Sequence, residues 1–418
     1  MAGLIDGGIA MISVRPTWCR RLSALRSALI VLLAAASAVA LAGCGSGVET
    51  SWSPDSREIA YSAGGELRIY DLATKQSRPL DVGEGDVVAP AWSPDAKAIA
   101  FYSVTWGEKA AVALRALDPD SGQVRTLASD VWPLPKEAAA VKIESGQTSD
   151  EALLKAQQDA VGYFAYVAAV ISWSPDSARL ACTAASQSSG GGLLINYASG
   201  DAKPIIEGPY TILTSAWSPD GNVLAYLQLP GLPAEWSAED ERGSESQSEP
   251  KETISLWLYD FGTGTHSKLY DFPEDTYAPG PRLEWSADSR SIGFIMDDRH
   301  NDGRAIGCLV EARPGSAIRQ ELKGVTGNAA WAPGLAGVAF LEDRENGQTV
   351  LIHRGLAPRT RRVLGALPRA IPGGQEVQAE NSGSGTPYSL PTFSRDGRRV
   401  ALRVGQDEAL QIAVFDVP

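Results

Sequence analysis

The chain has 418 residues, 44% of them hydrophobic, with 42 glycines and a formal net charge of −13. That length is more than one ordinary layered core fills, so several domains or a repeat that adds cores side by side is expected. The excess of acid argues against nucleic-acid binding, which calls for a basic face.

In chain order, the first feature is an address. Arg15, Arg20, Arg21 and Arg26 form a positive region, Ser27 to Gly43 carries no charge, and "LAGC" follows at Leu41 to Cys44. This is the layout of a secretory signal whose apolar core is short for a membrane span. "LAGC" resembles the bacterial lipoprotein box, and a plain transmembrane anchor is the alternative. The resemblance implies a signal peptide over residues 1–43, lipid on Cys44 and a short tether over residues 44–50. It also implies an exported protein, lipid-anchored at the periplasmic or extracellular face of a membrane. About six tether residues would reach only ~20 Å, which keeps the rest of the chain close to the bilayer. Removing residues 1–43 takes away four arginines and one aspartate, leaving 33 basic against 49 acidic residues and a net charge of −16.

From Ser51 onward the sequence repeats itself. The copies are "SWSPDSREIAYS" at Trp52, "AWSPDAKAIAFYS" at Trp92, "SWSPDSARLACTA" at Trp173 and "AWSPDGNVLAYLQ" at Trp217. They continue with "EWSADSRSIGFIM" at Trp285, "AWAPGLAGVAFLE" at Trp331 and "TFSRDGRRVALRV" at Phe393. Each reads as two strands about a tight turn: Pro presets the turn dihedral, Asp bonds back to the backbone, and Ser or Gly closes it. An alternating apolar strand follows. Most copies then carry a second hairpin such as "LRIYDLATKQSRPL" or "ISLWLYDFGTGTHSKLY".

Four strands per repeat, seven times over, predicts an all-β, seven-bladed β-propeller spanning residues 51–418. The chain ends on "LQIAVFDVP", so the last blade is expected to lack its outer strand. The phrase W-S-P-D-[SG]-x-x-[ILV]-A-[FY] resembles the repeat of TolB-type propellers, relatives of the WD-repeat propellers. The sequence departs from that family in having no α/β domain before the propeller and seven blades where TolB has six, so TolB's partners are not carried over. The sixth copy lacks the acid, at Ala332-Pro333-Gly334, and the seventh replaces Trp by Phe393. A blade cannot bury both faces alone, so the repeated aromatics are expected to fill the wedges between neighbours.

Spacings between the aromatics are 40, 81, 44, 68, 46 and 62 residues, against about 40–45 for one blade. The excess predicts insertions at residues 128–168, 230–253 and 372–390, with a shorter one at Met296–Ala305. All belong to the connections between second and third strands or between blades, which share one end of a propeller. That end is expected to carry function. The first insertion is predicted to be partly helical and to lie over the propeller mouth, with a capping box of Thr148 and Glu151 and a stripe of Leu153, Leu154, Ala156, Ala160 and Val161. The second is acidic and serine-rich, as disordered segments are.

Chemical motifs are sparse. There is no G-x-S-x-G, Walker loop, H-E-x-x-H or C-x-x-C. The histidines, His266, His300 and His353, are too dispersed to predict a three-histidine metal centre. Cys182 and Cys308 fall on non-neighbouring blades and are expected to be buried free thiols. "DDRHNDG", with Asp298, His300 and Asp302 before Gly303, partly matches the start of a calcium loop, but histidine occupies the third ligand position and Leu309 stands where the bidentate Glu belongs. A solvated polar turn is the preferred reading, and no cofactor other than that weak calcium candidate, through Asp298 and Asp302, is expected.

Trp106, Tyr163, Phe164, Tyr166, Tyr210 and Tyr277, with Asp298 and His300, are candidates for a binding surface at the loop-bearing end. The alternative is that the aromatics fasten the insertions down. Two functions remain open: a non-catalytic binding or scaffold propeller of the cell envelope, with a protein, peptide or glycan partner, and an enzyme acting on glycans, a lyase or hydrolase, through carboxylates at the central mouth.

Overall fold

The computed structural model describes residues 50–132, 134, 148–167, 169–185, 190–208, 210–230, 253–273, 282–298, 304–326, 329–344, 346, 348–367, 388–404 and 411–418. The signal region 1–43, Cys44 and the tether as far as residue 49 lie outside the described residues, as do most of the 230–253 and 372–390 insertions.

Seven antiparallel sheets are present among the described residues, six of four strands and the last of three. Blade 1 contains β1 (Thr50–Trp52), β2 (Glu58–Ala63), β3 (Glu66–Asp71) and β4 (Gln76–Leu80). Blade 2 contains β5 (Asp86–Trp92), β6 (Ile99–Thr105), β7 (Ala111–Leu117) and β8 (Val124–Trp132). After helix α1 (Ser149–Val167), blade 3 contains β9 (Ile171–Trp173), β10 (Arg179–Ala185), β11 (Gly190–Asn196) and β12 (Ala202–Gly208). Blade 4 contains β13 (Tyr210–Trp217), β14 (Val223–Pro230), β15 (Ser255–Asp260) and β16 (Thr265–Asp271). Blade 5 contains β17 (Glu284–Trp285), β18 (Ser291–Asp298), β19 (Arg304–Glu311) and β20 (Arg319–Thr326). Blade 6 contains β21 (Ala329–Trp331), β22 (Gly337–Asp343), β23 (Thr349–Gly355) and β24 (Thr360–Ala366). Blade 7 contains β25 (Thr392–Phe393), β26 (Arg399–Val404) and β27 (Gln411–Asp416).

The repeat turn explains its own sequence. Ser53 Oγ donates to Asp55 Oδ1 at 2.7 Å and accepts the Glu58 amide at 2.9 Å, while Asp55 Oδ1 also accepts the Arg57 amide at 3.1 Å. The same Ser-to-Asp bond recurs at Ser93, Ser174, Ser218, Ser286 and Ser394, at 2.5–2.7 Å. The last turn residue is left-handed in every copy: Ser56, Ala96, Ser177, Gly221, Ser289, Leu335 and Gly397, with φ between 58° and 73°. Glycine takes that conformation at no steric cost, yet five copies tolerate a side chain because the Ser-Asp network fixes the rest of the turn, except at Leu335, where the backbone bonds alone persist.

The repeated tryptophans are 3–9% exposed and do more than fill wedges. Trp52 Nε1 donates to the Thr392 carbonyl at 2.9 Å, Trp173 to Ala91 at 3.1 Å, Trp217 to Ser172 at 3.0 Å and Trp285 to Ala216 at 3.0 Å. In each case the acceptor is the residue just before the aromatic of the preceding blade. Trp331 departs from the rule and donates to Phe294 in β18 at 3.0 Å. Gly293 and Gly307 lie against its ring, where a Cβ would come within 3.1 Å, so the missing side chains let the indole slide outward. The Trp92 indole N–H is buried with no acceptor, although its backbone amide donates to Ser51 Oγ at 2.9 Å. The first bond of the series also closes the ring, because Thr392 belongs to blade 7 and Trp52 to blade 1. Thr50 and Thr392 hydroxyls meet there at 2.7 Å, and Arg399 reaches the Ser56 carbonyl at 3.0 Å.

Cys182 and Cys308 are buried free thiols, and burial pushes both pKa values up to about 12. Among the described residues no helix is long and apolar enough to cross a membrane.

Trp217 packs flat on Phe261, with centroids 4.6 Å apart, under the Arg179 guanidinium. Trp217→Ala is expected to cost about 3–5 kcal/mol in urea unfolding. Trp217→Phe, which keeps most of the ring and loses only the donor, is expected to cost about 1–2 kcal/mol. A parent-like midpoint for Trp217→Ala would contradict this packing.

Candidate binding face

Because each blade runs up and down, the turns after first and third strands emerge at one end, here called the platform, and the remaining connections at the other. Every platform turn is short, the longest being residues 312–318 between β19 and β20. The long connections 133–170, 231–254, 272–283 and 367–391 all leave from the loop end. Every long connection thus leaves the blades from the same end. The first connection begins later than expected, because β8 continues past Ala128 to Trp132.

Helix α1 is seated rather than loose. Its N-terminus forms the expected capping box: Thr148 N and Oγ1 donate to Glu151 Oε2 at 2.8 and 2.9 Å, and the Glu151 amide returns to Thr148 Oγ1 at 3.3 Å. Those bonds hold the Glu151 carboxyl below its ordinary pKa. Ala152, Leu153 and Val161 are buried, whereas Leu154 is 42% exposed and so lies outside the stripe assigned to it from sequence. The gap in the stripe is Gln157, which is fully buried. Its amide clamps the backbone of Gly107: the Gly107 N–H donates to Oε1 and Nε2 donates to the Gly107 carbonyl, both at 2.9 Å. Val161 joins a cluster with Val131, Trp132 and Leu134 at the junction of blades 2 and 3, which is where the described contacts of the helix fall, instead of the central mouth.

The candidate aromatics divide accordingly. Trp106 Nε1 donates to Asp86 Oδ2 at 2.7 Å and the ring packs on the blade 2–3 cluster, beside the Gln157 clamp. Tyr210 is partly buried in β13 with its ring edge over Gly208, where a Cβ would come within 2.5 Å. Both therefore touch neighbouring chain while staying partly exposed. Tyr163, Phe164 and Tyr166 fall on α1, but their side chains lie outside the described residues. Tyr277, His300 and Asp302, and the side chain of Asp298, lie outside them too, and the calcium candidate with them. Among the described residues no cluster of three or more metal-ligating side chains is present. His266 Nδ1 pairs with the Tyr226 hydroxyl at 2.9 Å, and His353 meets the Phe393 ring edge-on at 6.1 Å, so the two stand on separate blades with separate partners.

The inner strands contribute two residues not singled out from the sequence. Arg282, just before β17, reaches past blade 6 to blade 7, where Nη1 donates to the Pro391 carbonyl and Nη2 to Thr392 Oγ1, both at 3.2 Å. Glu284 follows it, in the position held by Ser51, Ala91, Ser172, Ala216, Ala330 and Thr392 in the other copies. Its Oε1 accepts the Gly334 amide at 3.1 Å. Gly334 stands where the other turns carry their aspartate; the amide at that position goes to a neighbouring turn's serine at Asp95 and Asp220, and here to the Glu284 carboxylate of the neighbouring blade. Burial pushes the Glu284 pKa up to about 7, against the Gly334 N–H and the Arg282 charge, which favour the ionised form. The resolved shifts of the other carboxylates run downward: Asp55, Asp176, Asp220, Asp288 and Asp396 are lowered first by their serine hydroxyls.

A cavity of about 650 Å³ opens on the platform where the turns of blades 5, 6 and 7 meet. His353, Arg395, Asp396 and Arg398 line it beside the side-chain-poor sixth turn. Arg395 is already committed, donating to the Pro94 carbonyl of blade 2 at 3.2 Å.

No protein-family model matches the chain, and no curated protein does. Among solved structures it is similar to TolB from Acinetobacter baumannii, at 17% identity over 75% of this chain, with a TM-score of 0.41. The chain spans 61% of the length of that protein. It is also similar to an oligogalacturonate lyase from Vibrio parahaemolyticus, at 10% identity, covering 88% of this chain and 89% of that one, with a TM-score of 0.55. Hydrazine synthase from Kuenenia stuttgartiensis matches at 13% identity, 90% and 96% coverage and a TM-score of 0.51. The seven sheets make the chain a β-propeller, and at such identities the likeness to these structures carries fold alone.

A carboxyl whose folded pKa lies above its unfolded value binds its proton more tightly when folded, so its contribution is fully present below about pH 4.5 and lost as pH rises through about 7. Glu284→Gln is therefore expected to gain stability relative to the parent between pH 5 and pH 7.5, by on the order of 1–3 kcal/mol. Parallel denaturation curves across that range check it, and a constant difference would contradict the assignment.

Proposed function

We propose that the protein is an exported, lipid-anchored β-propeller that binds another component of the cell envelope through its loop-bearing end, without catalysing a reaction on it. The observation that carries this reading is the fixed helix α1. A surface insertion costs less entropy to use in recognition when it is held in advance, and the Gln157 clamp and capping box hold this one. Leu154 on its outer side is one of two large apolar side chains exposed among the described residues. The short tether implied by Cys44 would keep this end near a membrane. The net charge of −16 without the signal region favours an envelope protein, peptide or neutral glycan over nucleic acid.

A second reading, an enzyme acting on glycans, draws support from Glu284, whose pKa near 7 suits a general acid or base at neutral pH. It requires a second carboxylate facing the same space, and the described neighbours of Glu284 are Arg282 and the Gly334 amide.

Cross-linked co-purification of the lipidated protein from its own cells, beside a variant with residues 135–168 replaced by a tight turn, tests the first reading. A protein or glycan captured in near-stoichiometric yield by the parent and lost with the variant is the expected result. Equal capture by both, or by neither, would contradict binding through this end.

A further inference from the structure

The wall between blades 1 and 2 changes character along its length. Over much of that length it is apolar, with Leu67, Ile69, Ile99, Phe101 and Leu117 buried together. Toward the loop end the same face of blade 2 turns small and polar: Ser103 and Thr105 follow Phe101 on β6, and Ala111, Ala113 and Arg115 run along β7 at the alternating positions of one face. On the blade 1 side, whose outer strand β4 is five residues long, the lining comes from Glu84 in the link to blade 2. A cavity of about 270 Å³ remains, below the size of a drug cleft and suited to a single sugar ring.

Three backbone features shape it. The pairing of β7 with β8 shifts register twice, between Val112 and Leu114 and between Leu114 and Arg115, so Ser129, Asp130 and Val131 bulge from the ladder. Asp130 is left-handed at φ 50°, an uncommon conformation for a residue with a side chain. The link from blade 1 is pressed onto β6 at Gly85, where φ is 102° and a Cβ would come within 2.4 Å of Ser103 Oγ, and this places Glu84 at the rim.

Three side chains around this space, Arg115, Ser103 and Thr105, keep unused hydrogen-bonding capacity. Of the five N–H donors of Arg115, one is engaged, Nη1 to the Glu84 carbonyl at 3.2 Å, and Nε is buried with no acceptor. Ser103 and Thr105 donate to the carbonyls of Glu84 and Lys109, at 3.1 and 2.9 Å, which leaves their oxygens with acceptor capacity. One guanidinium shares this lining with the Glu84 and Asp130 carboxylates. A simple anion would meet the two acids and a simple cation would meet the guanidinium, so the mixture favours a neutral ligand over either. A vicinal diol fits it, since each hydroxyl donates to a carboxylate while accepting from a guanidinium or another hydroxyl. From the bulged strand, the under-committed Arg115 and the mixed polar lining, we propose that this cavity is a binding subsite for a neutral polyhydroxylated ligand, one sugar ring in size. The subsite stands apart from the scaffold reading: a protein partner found or missed at α1 leaves it unchanged.

Saturation-transfer NMR and calorimetry on the full chain, with glucose, galactose and myo-inositol as probes and acetate and glycine as controls, test it. At least one of the three polyols is expected to bind with a dissociation constant of about 1 mM. Ala113→Leu, which fills the floor, is expected to abolish that binding while the melting temperature stays within a few degrees of the parent. Arg115→Gln is expected to weaken it at least tenfold. The proposal is overturned if none of the three polyols binds the folded parent, if binding survives Ala113→Leu and Arg115→Gln alike, or if acetate or glycine displaces the polyol.

Discussion

The bond that five of the six repeat indoles make to a carbonyl of the preceding blade is the constraint on which this propeller rests. A four-stranded sheet twists, and seven of them pack into a ring only if their inner edges keep a constant offset. An aromatic wedge alone sets a separation and permits sliding. A wedge that donates to a fixed carbonyl also sets the height of one blade against the next, and a buried carbonyl deprived of its donor carries a desolvation cost. Where the bond is lost, something else takes its place: at Trp92 the backbone amide is held by Ser51 Oγ, and at blade 6 the indole moves out onto Phe294. The ring closes between blades 7 and 1 by the same device, Trp52 to Thr392, reinforced by the Arg282 strut to the same threonine.

Much of this fold was legible in the sequence because it is written seven times. The tryptophan, the Ser-Pro-Asp turn and the alternating strand after it fix register in each copy, and the spacing between copies reveals where chain has been added. The capping box at Thr148 and Glu151 was also legible, since it depends on two residues three apart. Gln157 was not, because a polar residue at a helical core position reads as a gap in the stripe until its partner, the backbone of Gly107 some fifty residues earlier, is in view. The extension of β8 to Trp132 was hidden by its bulge, where Ser129 and Asp130 break the alternation that marks a strand.

Glu284 is a different case, because its signal lies in the sequence as a pair of irregularities. Six copies carry a small residue before the aromatic and one carries a carboxylate, and the adjacent turn is the one that lacks its acid. The two departures meet across a blade boundary. Irregular copies paired with irregular neighbours would have exposed the contact from the sequence alone. The same reasoning gives the two ends of the molecule different duties: the platform holds the repeated turn bonds that brace the ring, and the loop end carries α1, the polar cavity of blade 2 and the long connections, free to vary because the ring does not depend on them.

The most direct measurement of the central claim is hydrogen exchange at the tryptophan indoles, followed by nitrogen-15 NMR with each resonance assigned by a single Trp→Phe substitution. The account predicts slow exchange and hydrogen-bonded proton shifts for Trp52, Trp173, Trp217, Trp285 and Trp331, with Trp92 set apart by a shift typical of an unbonded indole despite equal burial. Six indoles exchanging alike at rates typical of exposed side chains, or a Trp92 resonance indistinguishable from the other five, would contradict it.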